Sequence, residues 1–228
     1  MLELRNVTKT YGTGPQQVVA LRNISLIVEP GEFIAITGPS GCGKSTLLHL
    51  ASGLDIPSEG EVLIDGKSTR DCSDDELTLL RRNRIGLVFQ AFNLIPTLTA
   101  LENVVLPATL NGKSFATQMG RGRQLLEVVG LGARAGHYPD QLSGGEAQRV
   151  AIARAIIMDP EMLLADEPTG NLDSESGLSI LALLEEFGCS TISTPAGPVQ
   201  RSTMIVTHDE SIAAKAPRRI RLKDGKLV

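Results

Sequence analysis

The chain has 228 residues, of which 42% are hydrophobic and 21% charged, and a net charge of −4. That balance describes a folded globular protein with enough length to bury a substantial core. Aromatics make up 3% of the residues and no long basic run occurs, which disfavours base-stacking platforms, nucleic-acid binding and an electrostatic membrane anchor.

The chain begins Leu2-Glu3-Leu4-Arg5, alternating like a strand rather than running from charged to apolar like a signal sequence. Two β-like stretches, Leu2 to Val7 and Val18 to Val28, are separated by Gly12, Gly14 and Pro15. Pro30-Gly31 makes a turn, and Phe33 to Ile36 reads as a short buried strand. A glycine-rich loop leads into helical Ser45 to Ser52. Glu61 to Ile64 is the next strand, ended by the hairpin signal Asp65-Gly66. Asp74 to Arg82 is predicted helical with Ser73 as N-cap, and Ile85 to Phe89 is strand-like.

Residues 91–159 are mostly helical, most clearly Gln124 to Val129 and Glu146 to Met158. Strands return at Met162 to Ala165 and Met204 to Val206, with helical Leu178 to Phe187 between them. The pattern predicts an α/β core with an N-terminal β layer and an inserted helical subdomain, in one domain spanning 1–228. Gly188 to Thr203 stands apart, being rich in Ser, Thr, Pro and Gly. No apolar run approaches the ~20 residues that span a bilayer, so any membrane part must come from another subunit. Cys42, Cys72 and Cys189 are too scattered for a disulfide framework or zinc site, and a reducing cytosol is expected.

Three strings carry chemistry. Gly38-Pro39-Ser40-Gly41-Cys42-Gly43-Lys44-Ser45, running on into Thr46, follows an apolar strand and opens a helix. This is a phosphate-binding loop in its proper context. Its glycines let several N–H groups converge, and the helix N-terminus adds positive potential. Lys44 supplies charge to the β- and γ-phosphates, and the Ser45 hydroxyl can ligate Mg²⁺. Met162 to Ala165 is an apolar strand ending in Asp166-Glu167. There Asp166 is placed to hold Mg²⁺, directly or through water, and Glu167 to orient or deprotonate an attacking water. Ser143-Gly144-Gly145, just before a helix, forms a second anion site in the same chain. Two such elements suit two chains arranged head to tail, each phosphate loop facing the other chain's Ser143 and Gly145.

With Leu142-Ser143-Gly144-Gly145-Glu146 followed by Gln148-Arg149, nearly the whole chain resembles the ABC (ATP-binding cassette) ATPases. The resemblance implies ATP and Mg²⁺ as ligands and a cassette dimer that closes on ATP. It assigns Tyr11 to stacking on adenine and Gln90 to reaching the metal and water and sensing a membrane partner. It assigns Asn171-Leu172-Asp173 to crossing the dimer interface and His208 to contacting the γ-phosphate and holding the water. His49 and His137 match nothing catalytic and are read as structural.

The strings Pro15 to Leu21, Asn93 to Val104 and Asp166 to Asp173 are similar to those of the lipoprotein-releasing and macrolide-exporter group. This implies ATP hydrolysis coupled to a separate integral membrane permease, for export or release of a hydrophobic substrate or lipoprotein. The cassette would then lie peripherally on the inner face of the membrane. The same nucleotide chemistry serves mechanical-signalling ATPases that transport nothing. Soluble ABC ATPases of DNA repair or translation usually carry coiled coils or paired cassettes, which are missing here. Phe92, Leu94 and Ile95, apolar beside Gln90, are candidates either for a permease contact or for packing inside the helical subdomain. Gly188 to Thr203 looks longer than the family's usual link. It reads as a surface insertion or as a regulatory or partner contact.

Overall fold

The computed structural model describes residues 1–188, 190–194 and 197–228; Cys189 and residues 195–196 of the unusual segment lie outside the described residues. Strands β1 (Leu2–Tyr11) and β2 (Val18–Val28) pair antiparallel, and β4 (Glu59–Ile64) and β5 (Lys67–Ser68) complete a four-stranded sheet in the order β2-β1-β4-β5. The β4–β5 turn is the expected Asp65-Gly66, both with positive φ (50° and 79°), the geometry a two-residue hairpin demands.

The second sheet has six strands in the order β12-β11-β3-β10-β7-β6. Here β3 is Phe33–Thr37, β6 Ile85–Val88, β7 Met162–Asp166, β10 Ser202–Thr207, β11 Arg218–Lys223 and β12 Lys226–Leu227. All residues of β3 and β10 are buried, as expected of central parallel strands covered on both faces. Strands β3, β10, β7 and β6 run parallel, so their C-terminal ends lie side by side. The register places Thr37 opposite Thr207, Val206 opposite Asp166, and Ala165 opposite Val88. Every chemical string on these strands follows one of those ends.

One face of the sheet packs with α1 (Lys44–Ala51) against the antiparallel layer, through Leu4, Ile24, Ile36, Leu47, Leu50 and Val206. On the other face lie α5 (Gly144–Ile156), α6 (Ser174–Gly188) and α7 (Glu210–Ala213), which bury Ile152, Ile156, Ile180, Leu184 and Ile212 against Ala35, Leu163 and Ile205. Each such side chain contributes about 1.5–3 kcal/mol. Helix α2 (Asp74–Arg84) begins with a capping box in which Ser73 and Glu76 satisfy each other's backbone N–H groups.

A third core joins α3 (Ala100–Leu110), α4 (Phe115–Val128) and one face of α5, through Leu101, Val104, Val105, Leu126, Val150 and Ala153. Leu94 packs on this core. The Gly188 to Thr203 segment carries regular structure: β8 (Thr191–Thr194) and β9 (Gly197–Gln200) form a hairpin. It is anchored by buried Arg201, whose guanidinium donates to the Pro160 and Phe187 carbonyls and the Ser190 hydroxyl. No helix among the described residues is long and apolar enough to cross a membrane.

Candidate active site

The phosphate loop leaves β3 at Thr37 and enters α1 at Lys44. Gly43, the N-cap, has φ 108°, and a Cβ there would lie 2.5 Å from the Ala20 carbonyl oxygen. A Cβ on Gly38 would lie 2.2 Å from the Leu222 carbonyl oxygen. The backbone is thus wedged between β2 and β11, and only glycine fits both positions. Pro39, Ser40 and Gly41 form the exposed lip, and Cys42 is buried beneath it.

Lys44 is 7% exposed. Its Nζ donates to the carbonyls of Gly38 (2.8 Å) and Pro39 (3.2 Å) and lies 3.5 Å from Glu167 Oε1. The ammonium is therefore fixed at the loop centre, where a phosphate would meet it. Ser45 Oγ donates to Asp166 Oδ1 at 3.2 Å, bringing together the first and second metal candidates. Burial pushes the Asp166 carboxyl above the ordinary aspartate range; the Ser45 hydroxyl opposes the rise and the neighbouring Glu167 carboxylate adds to it.

Glu167 has φ 44°, a left-handed conformation uncommon for a side chain of its size. It is held there by its N–H to the Val206 carbonyl (2.9 Å) and by the Gly170 N–H to its own carbonyl (3.0 Å). Its Oε2 accepts the backbone N–H of His208 (3.1 Å) and faces His208 Nδ1 at 2.9 Å. Gln90, past β6, pairs with Asn171: Gln90 Nε2 to Asn171 Oδ1 at 3.3 Å and Asn171 Nδ2 to the Gln90 carbonyl at 3.0 Å. Ser40, Gly41, Gly43, Lys44, Ser45, Thr46, Gln90 and Glu167 line one open cleft of about 350 Å³ with Val18, Val19 and Ala20. Tyr11 is paired with Val18 across the β1–β2 ladder, with its hydroxyl on Asp55 (2.9 Å) and Lys9 over its ring.

Ser143, Gly144 and Gly145 are not among the residues lining that cleft. Ser143 is exposed and caps α5 in a capping box with Glu146: Ser143 N donates to Glu146 Oε2 at 2.8 Å and Glu146 N to Ser143 Oγ at 3.2 Å. Gly145 lies against Ser176 of α6, where a Cβ would come 3.0 Å from its hydroxyl. The nearest neighbours of Gly144 and Gly145 are Leu172, Phe92, Asn171 and Ser176, none of them in the phosphate loop. His49, on α1, is half-buried and electrostatically lowers the Asp166 carboxyl. His137 Nε2 lies 3.0 Å from an Arg134 guanidinium nitrogen, and its carbonyl accepts the Ala100 N–H.

Three polar residues brace the loops around the site; Asn103 and Gln148 stand within the strings that carry the resemblance and Arg154 in none of them, but the sequence assigns no role to any of the three. Asn103, fully buried in α3, pins the loop after Gln90 by accepting the Ile95 N–H and donating to the carbonyls of Ile95, Leu98 and Thr99. Arg154 donates to the carbonyls of Phe92 and Asn93, both left-handed. Gln148 is fully buried beneath Phe89 and Pro168. The available signal was a polar residue at a core position of an apolar helix, as Gln148 is between Ala147 and Val150.

The ABC transporter family model matches residues 21–170. An ABC transporter ATP-binding protein of Methanocaldococcus jannaschii, MJ1508, is 47% identical over the whole of this chain and 98% of its own length. A macrolide export ATP-binding/permease protein, MacB, of Hyphomonas neptunium is 44% identical over the whole of this chain but only 34% of its own length. The dimeric structure of the ATP-binding cassette MJ0796 in a post-hydrolysis state, bound to ADP and Pi, superposes with a TM-score of 0.87. That match is 47% identical in sequence, over all of this chain and 96% of that one. The chain belongs to the ABC transporter family and is one of its ATP-binding, ATP-hydrolysing subunits.

Proposed function

We propose that the chain hydrolyses Mg²⁺-ATP in a head-to-tail dimer and passes the resulting movement to a separate membrane permease. The observation that carries this reading is the split between the two anion elements. Lys44, Ser45, Asp166, Glu167 and His208 follow adjacent strand ends and are joined by direct contacts, while Ser143 caps the exposed start of a helix whose first residues, Gly144 and Gly145, neighbour Phe92, Leu172 and Ser176 instead. A second cassette supplying Ser143 to the phosphates completes the site. The dimeric ADP-bound relative supports this arrangement.

A triphosphate in the loop offers Lys44 a charged partner in place of two carbonyls, and the α1 N-terminus adds its dipole. The Ser45 hydroxyl and Asp166 carboxylate, 3.2 Å apart, suit a magnesium ion. Magnesium is commonly held by one or two carboxylates together with the substrate's own phosphates. Such an ion supplies charge neutralisation on the β- and γ-phosphates, with Gln90 within reach of the same cleft. Glu167 Oε2, oriented by His208, takes the proton of the attacking water, and His208 steadies that water. Tyr11 stacks on the adenine.

The helices of 91–159 act as the signalling part. The groove between Arg81, Arg82, Phe89, Asn93, Arg154 and Met158, about 260 Å³, lies beside the Gln90 loop and suits a permease segment. Export is supported by the macrolide-export relative, and a hydrophobic substrate or lipoprotein is the cargo we propose. The cassette would be held at the inner membrane face by that partner.

The test is complementation. Ser143→Arg and Lys44→Ala chains are each expected to be inactive alone. In a mixed dimer one composite site carries both lesions and the other carries neither. ATP hydrolysis is expected to return on mixing; a mixture as inactive as either parent contradicts the shared site.

A further inference from the structure

Gln148 lies on α5 five residues beyond Ser143 and is fully buried. Its Nε2 donates to the Pro168 carbonyl at 2.6 Å and to the Phe89 carbonyl at 3.3 Å. Phe89 immediately precedes Gln90, and Pro168 immediately follows Glu167. One amide nitrogen thus bridges the backbone next to Gln90 and the backbone next to Glu167. Its Oε1 is buried with no partner among the described residues. A stranded acceptor costs about 1–3 kcal/mol; an apolar residue of the same volume would avoid that cost but leave the Pro168 carbonyl without its donor, while the Phe89 carbonyl would keep the Phe92 N–H (3.3 Å).

The surrounding contacts make this bridge a control point. Glu167 occupies a left-handed conformation, so its side-chain direction depends on what fixes the turn. From below, that turn is fixed by Gln148 at Pro168. The far end of the Gln90 loop is fixed from the same helix by Arg154, at Phe92 (2.8 Å) and Asn93 (2.5 Å). Asn171 links the two loops above, with its side chain on the Gln90 carbonyl. Helix α5, whose exposed N-terminus is Ser143, therefore holds the glutamine loop at both ends and the glutamate turn at one.

We propose that Gln148 is a positioning residue: it sets Glu167 and Gln90 in register with each other and with α5, so that movement of the helix reaches both at once. This rests on the roles given above to Glu167 and Gln90. Misplacing a reacting group by about 1 Å costs on the order of 10²-fold in rate. Loss of the bridge is therefore expected to lower kcat by about 10- to 100-fold. Among the described residues Gln148 hydrogen-bonds Phe89 and Pro168 and not the phosphate loop, so the KM for ATP is expected to change much less than kcat.

The experiment measures steady-state ATP hydrolysis of the purified full chain for wild type, Gln148→Met, Gln148→Asn and Glu167→Gln. Nucleotide-binding titration gives the concentration of folded, binding-competent protein. Methionine fills the space and removes both donors; asparagine keeps the amide but is one methylene shorter. The expected order of kcat per binding-competent chain is wild type, then Asn, then Met, at nearly constant KM. A merely structural role reduces the number of competent chains and leaves kcat per competent chain at the wild-type level, which overturns the proposal. If Gln148→Met does not fold, wild-type kcat in folded Gln148→Asn overturns it equally. Glu167→Gln separates the two layers. If that variant retains turnover, the role of Glu167 falls and this inference with it; if it is inactive while Gln148→Met turns over normally, only the Gln148 inference falls.

Discussion

Replacing Gly43 by alanine tests the phosphate loop where its geometry is most constrained. Gly43 has φ 108°, and the added Cβ would stand 2.5 Å from the Ala20 carbonyl oxygen and 2.9 Å from Leu21 Cδ2. The obstacle is backbone of β2, so it does not swing aside. The left-handed conformation alone costs about 1–2 kcal/mol for an L-residue, and forcing an atom into a packed site costs a further 1–3 kcal/mol or so. The sum is about 2–5 kcal/mol, a large share of the roughly 5–15 kcal/mol that stabilises a typical domain. Gly41 is the control. Its φ is 77°, but nothing lies within 4 Å of a Cβ there, so Gly41→Ala carries only the conformational cost. Urea unfolding of the two variants, with ATP-analogue binding measured alongside, reads the difference. Gly43→Ala is expected to be the less stable by at least 1 kcal/mol or so and to lose nucleotide binding. Equal midpoints for the two variants would refute the wedged-loop geometry.

Leu94→Asp puts a charge into the helical core and is expected to cost about 2 kcal/mol in thermal unfolding. Ile95, 38% exposed, tolerates aspartate with little loss of stability but should weaken capture of the native permease in pull-downs; unchanged capture removes this loop from the contact. At α2, Lys67 and the bonds from Ser73 hold the Glu76 carboxyl at about 2, below its usual 4.5. A depressed carboxylate pKa stabilises the fold above the unfolded value and loses that contribution as pH falls through the folded one. The stability gap between wild type and Glu76→Gln should therefore be open at neutral pH and close between pH 4.5 and 2; a constant gap in acid titration contradicts the assignment. Arg201→Leu strands the Pro160 carbonyl, while the Phe187 carbonyl keeps its bonds from Ser190, and should destabilise the chain by about 1–3 kcal/mol while ATP affinity is unchanged. A matching loss of affinity would tie the hairpin to the site.

The parallel-strand core was legible because each buried strand is a short apolar run ending in a chemical string, such as Phe33 to Ile36 before Gly38 or Met162 to Ala165 before Asp166. Local rules also worked where local forces decide, as in the Ser73–Glu76 capping box and the Asp65-Gly66 turn. Element ends drifted where the pattern thins: β1 runs on to Tyr11 and α4 starts at Phe115, well before Gln124. Helix α3 was not delimited because Pro107 and a nearly all-round apolar composition hide its period. The β8–β9 hairpin lies inside what the sequence presents only as a Ser-, Thr-, Pro- and Gly-rich insertion, because that composition resembles a loop, while buried Ile192 and Arg201 reveal their partners only after folding. The bracing roles of Asn103, Gln148 and Arg154 stay hidden for the same reason. Their partners are backbone carbonyls of distant loops, and a carbonyl carries no sequence signature.

The central claim is that Glu167 drives hydrolysis in a site completed by a second cassette. Glu167→Gln keeps the side chain's size but removes the base, whose loss typically costs ~10²–10⁴ in rate. Analytical ultracentrifugation of this variant with Mg²⁺-ATP, with phosphate release followed in parallel, tests both halves together. The account predicts ATP bound, phosphate release nearly abolished and a stable dimer that falls apart when ATP is removed. A monomer with ATP bound, or turnover near the wild-type rate, would contradict it.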